Sequence, residues 1–190
     1  MSLCLLIPAR GGSVRVPRKN MAVVGGTTLV RRAICVAQQV AGSSTVPTVV
    51  AVSTDDDEIA SDVASSALAQ VWRRVLSAGD RPISAVLDEH AADGAISADD
   101  TVVLLEPTCP QRSQADVLSA IVMAERHGLP VCCVHDAGNH GWARNGAAWV
   151  WPPQSRDWSR TTSPWLVHDT GTLIDINTPE DLARARAAMA

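Results

Sequence analysis

Four cations, Arg10, Arg15, Arg18 and Lys19, stand within ten residues of a chain whose net charge is −4. Gly11 and Gly12 follow the first of them, and Ser13 comes next. Paired glycines let backbone N–H groups approach an anion closely. The run from Ala9 to Asn20 therefore reads as a seat for a triphosphate. Lys19 is the sole lysine among 16 basic residues. The run is neither a P-loop nor a dinucleotide fingerprint, because G-x-x-x-x-G-K-[ST] and G-x-G-x-x-G are both missing. Carboxylates recur farther along, at Asp55 to Asp57, Glu106 and Asp175. Serine hydrolase chemistry lacks its G-x-S-x-G. His90, His127, His135, His140 and His168 show no metal spacing; only the pair His168–Asp169 falls shortly before another candidate, Asp175.

A frame must hold these residues. Leu3 to Ile7 is a continuous apolar run, which suits a strand buried on both faces of a parallel sheet. Further strands are expected at Thr48 to Ser53, Ala69 to Arg73, Thr101 to Leu105, Leu129 to Val134, Ala147 to Trp151 and Thr172 to Ile176. Helices are expected at Leu29 to Val40, Asp56 to Leu68, Arg81 to Ala92 and Asp116 to His127, the last ended by Gly128. Thr178, Pro179, Glu180 and Asp181 open a final helix with a cap, a proline suited to the first turn and acids at the positive end of the dipole. This alternation predicts an α/β fold, a Rossmann-like, mostly parallel sheet flanked by helices. Ligands of such sheets bind outside the carboxyl ends of the strands. The loops after Ile7, Ser53, Leu105 and Ile176 would then meet in one crevice.

The 190 residues amount to one domain. With 46% hydrophobic and 19% charged residues, neither disorder nor a coiled coil is expected. The acidic balance argues against nucleic acid as a partner. No apolar run approaches the roughly 20 residues of a membrane span. Leu3 to Ile7 is too short for a signal peptide's apolar region. A soluble, cytoplasmic protein is the expectation. Five cysteines, an odd number with no C-x-x-C, predict buried free thiols and no zinc site. Tyr and Phe are absent, and five of the six Trp fall between residues 136 and 165. Trp is enriched at interface hot spots, so that segment is expected to build a homodimer contact.

The stretch IPARGGSVRVPRKN, Ile7 to Asn20, resembles the signature of the N-acylneuraminate cytidylyltransferase family. The resemblance continues in order along the chain. Val52 to Asp56 matches the second strand and its acidic turn. Arg73 and Asp80 match R-P-x-x-L-A-x-D, with Arg74 in place of Pro. Leu105 to Arg112 resembles L-Q-P-T-S-P-L-R, Asn145-Gly146-Ala147 an N-G-A step, and Asp175 to Leu182 the element D-I-D-T-P-E-D-L. The resemblance implies transfer of CMP from CTP to the hydroxyl of a small acidic acceptor, a sialic acid or another 2-keto sugar acid, with release of pyrophosphate. It implies that Arg10 and Lys19 are catalytic. Ala9, Gly11, Gly12, Ser13, Arg15, Asn20, Arg73, Asp80 and Ser84 would hold the nucleotide. Glu106, Thr108, Arg112 and Asn145 would hold the acceptor, and Asp175 with Asn177 would hold Mg²⁺ or Mn²⁺. It also implies a homodimer, with residues 136–165 as the dimerising and acceptor-shaping insertion.

Several positions depart from the family pattern. Asn177 stands at the second acid of the metal pair, so one negative charge is lost and another acid, Asp55 or Glu106, is expected to help. Glu106 replaces Gln, and Val14 replaces Lys. These departures fit an acceptor other than sialic acid, such as another sugar acid or a small phosphonate. They also fit a catalytically weakened nucleotide-binding protein.

Overall fold

The structure is a computed structural model that describes residues 2–74, 82–136, 141–153, 157–158 and 165–190. In chain order its strands are β1 (Ser2–Pro8), β2 (Val23–Val24), β3 (Thr27–Thr28), β4 (Thr48–Thr54), β5 (Gln70–Arg73), β6 (Asp100–Leu104), β7 (Val131–Asp136), β8 (Trp142–Trp151) and β9 (Leu166–Asp169). The helices are α1 (Leu29–Gly42), α2 (Asp57–Ser66), α3 (Ile83–Ala92), α4 (Gln114–His127) and α5 (Pro179–Ala188). A 3₁₀ turn covers Lys19–Met21.

β2 and β3 form a small hairpin; the other strands form one sheet ordered β5-β4-β1-β6-β8-β7-β9. β1 pairs in parallel with β4 on one side and β6 on the other. The strand order thus departs in opposite directions from β1, and the crevice above its carboxyl end is where such sheets bind ligands. β8 alone runs against its neighbours β6 and β7. Its first half therefore returns to the same edge as the carboxyl ends of the parallel strands.

Both faces of β1 are covered, which explains its unbroken apolar run. Leu3, Leu5 and Ile7 pack under α1, α2 and α4. Cys4 and Leu6 face Leu87 of α3 and a tryptophan cluster. The helix ends follow local chemistry. Asp56 caps α2, accepting from the Ile59 N–H at 2.9 Å. Thr178 and Asp181 complete a reciprocal capping box on α5, and Gly128 ends α4 at φ +64°.

Two sequence expectations change. Thr172 to Ile176 is extended but joins no sheet. The Ile174 N–H donates to Gln111 Oε1 and the Ile176 N–H to the Thr108 carbonyl, both at 2.9 Å. The sheet edge beside β7 is taken instead by β9, in parallel register, a strand that none of the sequence expectations covers. The cysteines are all free, and four are buried as expected, but Cys35 is exposed.

The tryptophans also have another destination. Trp149 and Trp151 stack with ring centroids 6.2 Å apart, and Trp158 and Trp165 meet Trp151 edge-on at 5.6 Å. Trp149, Trp151 and Trp158 are buried in the protein's own second core. Trp142, at 56% exposure, is the one left open to solvent among the described tryptophans. In a chain without Phe or Tyr, tryptophan supplies the aromatic volume of that face, and its abundance carries no argument for an interface. Replacing Trp151 with Ala is expected to lower stability by about 3–5 kcal/mol, the usual penalty for a large buried side chain. Denaturant unfolding measures it; a loss below about 1 kcal/mol would contradict this packing.

Candidate active site

The loop after β1 crosses the top of the sheet. The Ala9 N–H donates to the Ser53 carbonyl at 2.9 Å, tying the loop to β4. The Gly11 N–H donates to Asp55 Oδ1 at 2.9 Å. A Cβ at Gly11 would stand 2.3 Å from Asp56 Oδ2 and 2.8 Å from Asp56 Cβ, so only glycine fits against the start of α2. Gly12 faces open space, and the Ser13 N–H turns back to the Gly11 carbonyl at 3.0 Å. Asn20, 5% exposed, donates from Nδ2 to the Arg10 carbonyl at 2.9 Å. It therefore fixes the turn that presents Arg10.

The cations divide. Arg18, left-handed at φ 52°, ion-pairs with Asp56 at 3.6 Å and with Glu58, on the outside of the loop. Arg15 is exposed. Arg10 and Lys19 turn inward and line a cavity of about 430 Å³. Lys19 Nζ donates to the Ile176 carbonyl at 2.8 Å, which bolts the ammonium to the segment before α5. Burial lowers the pKa of Lys19, while the charges of Asp175 and Glu106 oppose that shift.

Asn20 and Pro8 continue the cavity wall, and Glu106, Pro107 and Thr108 form its opposite side. The third wall is Ile83 and Val86 of α3 together with Arg74. Arg73, the residue matched to the family motif, lies outside: its guanidinium donates to the Asp56 carbonyl at 3.2 Å and pairs with Asp57 at 2.5 Å. Arg74 enters instead, donating from Nε to Ser53 Oγ at 2.9 Å and from Nη2 to the Ser53 carbonyl at 2.8 Å. Successive side chains at the end of a strand point to opposite sides, and two adjacent arginines leave that choice open in sequence. Arg74 is thus the site residue that sequence reasoning missed. Ser84 is half-buried in the first turn of α3, next to Ile83. Asp80 lies outside the described residues.

A second carboxylate, Asp175, lies beside the cavity-lining Glu106. Glu106 Oε2 and Asp175 Oδ1 stand 3.5 and 3.6 Å from the point where a Cβ on Gly146 would lie. Gly146 is left-handed at φ +68°, so the missing side chain leaves room between the two carboxylates. Asp175 Oδ1 is buried without a hydrogen-bond partner among the described residues, and Oδ2 accepts from Asn177 Nδ2 at 2.8 Å. The Asn177 amide here supports the carboxylate. No cage of three or more His, Cys, Asp or Glu occurs among the described residues. Two carboxylates with an unsatisfied oxygen nevertheless fit Mg²⁺, which keeps several waters and takes further oxygens from substrate phosphates.

The other acceptor candidates separate. Thr108 lines the cavity, and its buried Oγ1 has no partner among the described residues. Arg112 is 5% exposed and lies away from the cavity lining, its Nε donating to the Cys109 carbonyl at 3.1 Å. Asn145 is fully buried. Its Nδ2 reaches the Val134 carbonyl at 3.1 Å and Thr170 Oγ1 at 2.6 Å, while Oδ1 accepts from the Ala147 N–H at 3.2 Å. Asn145 is occupied in joining β7, β8 and the end of β9; its neighbour Gly146 is the one that faces the site.

A cationic, glycine-lined loop after the first strand of such a sheet, with Glu106 in the same cavity lining and Asp175 beside it, defines an α/β nucleotidyltransferase. The chain belongs to the cytidylyltransferase family, which residues 4–120 match. No curated protein matches it by sequence. Its fold is similar to that of the CMP:2-keto-3-deoxy-manno-octonic acid synthetase solved with CTP, at TM-score 0.78 and 15% identity over 99% of this chain and 98% of that one. It is also similar to 4-diphosphocytidyl-2C-methyl-D-erythritol synthase, at TM-score 0.73 and 10% identity, covering 100% and 99%. A third likeness is to a putative glucose-1-phosphate thymidylyltransferase from Bacillus anthracis in complex with a sucrose, at TM-score 0.69 and 12% identity, covering 100% and 95%. The chain is accordingly a CTP-dependent nucleotidyltransferase. No helix among the described residues is long and apolar enough to cross a membrane.

Proposed function

We infer that the acceptor is a small acidic molecule, a 2-keto sugar acid foremost, and that CMP passes to its hydroxyl. The observation that carries this reading is that Arg10, Lys19 and Glu106 line one cavity, with Asp175 beside Glu106 and acting by its charge on Lys19. The acceptor oxygen attacks the α-phosphorus, the bond from that phosphorus to the β-phosphate bridging oxygen breaks, and the hydroxyl proton passes to solvent water. Negative charge then grows on the α-oxygens and on the departing pyrophosphate. Arg10 and Lys19 would meet that charge, and the Gly12 and Ser13 backbone belongs to the same loop. Asp175, assisted by Glu106, would hold Mg²⁺ or Mn²⁺, which supplies charge neutralisation on the phosphates. Asp175 is oriented for this by Asn177.

Glu106, where the resemblance places Gln, supports a second reading, in which the acceptor is something other than a sialic acid, such as a small phosphonate. A carboxylate at that place repels carboxylate and phosphonate alike, and a cation held by Glu106 and Asp175 would relieve that repulsion. CTP incubated with a panel of sugar acids and phosphonates, with product detected by mass, decides between them. CTP binding without product from any acceptor would leave a nucleotide-binding protein. A homodimer stays part of the proposal on the strength of the family resemblance.

Asn177→Asp is expected to lower the Mg²⁺ concentration for half-maximal activity by about tenfold, corresponding to about 1.4 kcal/mol. The added carboxylate strengthens the attraction for the cation, and Asp175 loses a hydrogen-bond donor at the same time. An unchanged or raised requirement would refute Asp175 as a ligand.

A further inference from the structure

A chain of polar side chains runs beneath the nucleotide wall through otherwise apolar surroundings. His90, on α3, is 3% exposed, and Ser53, on β4, is fully buried. His90 Nε2 lies 2.7 Å from Ser53 Oγ. The same oxygen accepts from Arg74 Nε at 2.9 Å, and the Ser53 carbonyl accepts from Arg74 Nη2 at 2.8 Å. That carbonyl also takes the Ala9 N–H, the first amide of the phosphate loop, at 2.9 Å. Leu87 and Ala51 pack in the same core layer, and the Trp72 ring lies 5.1 Å from the imidazole. Burial lowers the His90 pKa; Arg74 adds to that shift, while Glu89 and Asp93 oppose it. The imidazole is therefore neutral at pH 7, with one nitrogen donating and one accepting.

We propose that His90 is a positioning residue that acts through Ser53 to hold Arg74 against the bound CTP. Arg74 occupies one lone pair of Ser53 Oγ. With the His90 tautomer that leaves Nε2 unprotonated, the Ser53 hydroxyl donates to Nε2, which holds that lone pair toward the guanidinium. Two of the five N–H groups of Arg74 are engaged by Ser53, and Arg74 is also part of the cavity lining. Three donors remain for the nucleotide. An arginine side chain otherwise loses much rotamer freedom when it binds a ligand. Holding it in place beforehand moves that loss from binding to folding. Ser53 thereby couples α3, the end of β5 and the phosphate loop at a single residue.

The inference rests on the reading of the cavity as a CTP site, and CTP affinity measured by calorimetry with Mg²⁺ needs no acceptor. Arg74→Ala is expected to raise the Kd for CTP by about 10- to 100-fold, the range for a hydrogen bond to a charged group. His90→Leu is expected to raise it by about 5- to 10-fold, and His90→Gln, which can still bond Ser53, to stay within about twofold of the wild type. In the Arg74→Ala background, His90→Leu is expected to change nothing further, because its route to the ligand is gone. Ser53→Ala removes the same link from its other side and serves where His90→Leu does not fold; the same loss and the same non-additivity are expected. Equal effects of His90→Leu or Ser53→Ala with and without Arg74 would overturn the positioning role and leave the CTP site standing. Failure of the wild type to bind CTP would overturn the site itself and this role with it.

Discussion

Lys19→Ala is expected to lower turnover at saturating CTP by at least about 100-fold, the usual effect of losing one preorganised donor to a developing oxyanion. Its folding is expected to change little. Within the free protein the ammonium makes one hydrogen bond, to the Ile176 carbonyl. Such a bond contributes about 1 kcal/mol to stability, against about 2.7 kcal/mol or more of lost transition-state stabilisation. The two readouts therefore separate a catalytic role from a structural one. Arg10→Ala is expected to behave alike, since Arg10 lines the same cavity. Arg73→Ala is the internal comparison. Its guanidinium engages the Asp56 carbonyl and the exposed Asp57 carboxylate outside the cavity, so less than about twofold is expected for an exposed pair. Pyrophosphate release reports all three rates. A folded Lys19→Ala enzyme turning over near the wild-type rate would remove the phosphate-loop assignment.

Asp175→Asn is expected to reduce activity by at least about 100-fold, as is excess chelator added to the wild type. Stability is expected to move by less than about 1 kcal/mol. Asp175 Oδ1 has no hydrogen-bond partner among the described residues to lose, and an asparagine of the same shape can still meet Asn177. Binding of Mn²⁺, followed by electron paramagnetic resonance with CTP present, should weaken in parallel with the rate. Full activity in excess chelator would end the metal reading. Activity lost in Asp175→Asn with Mn²⁺ affinity intact would keep the carboxylate and reassign its task.

Part of the site and much of the frame are legible in the amino-acid sequence alone. Leu3 to Ile7, the glycine pair, the cation cluster and the capped start at Thr178 are contiguous. Their meaning comes from local geometry: a strand covered on both faces, backbone amides able to approach an anion, and a helix whose first N–H groups need acceptors. Strand and helix alternation then determined which loops share an edge of the sheet, and the resemblance to a cytidylyltransferase lay in those same runs.

Tertiary structure decided what depended on partners distant in the chain. Arg73 and Arg74 are chemically identical, and only the pairing of β5 with β4 sends Arg74 to the cavity. Thr172 to Ile176 has the composition of a strand, yet β9 holds the open edge and leaves it to the loop after β6. The tryptophans suit an interface or a core equally well by type; the face opposite α1 and α4 takes three of them inside. Asn145 sits beside the site in sequence, but the antiparallel return of β8 turns its amide inward and presents Gly146 to Glu106 and Asp175. In each case the residue's chemistry allowed two environments of similar merit. Burial against a particular neighbour, a contact with no local signature, selected between them.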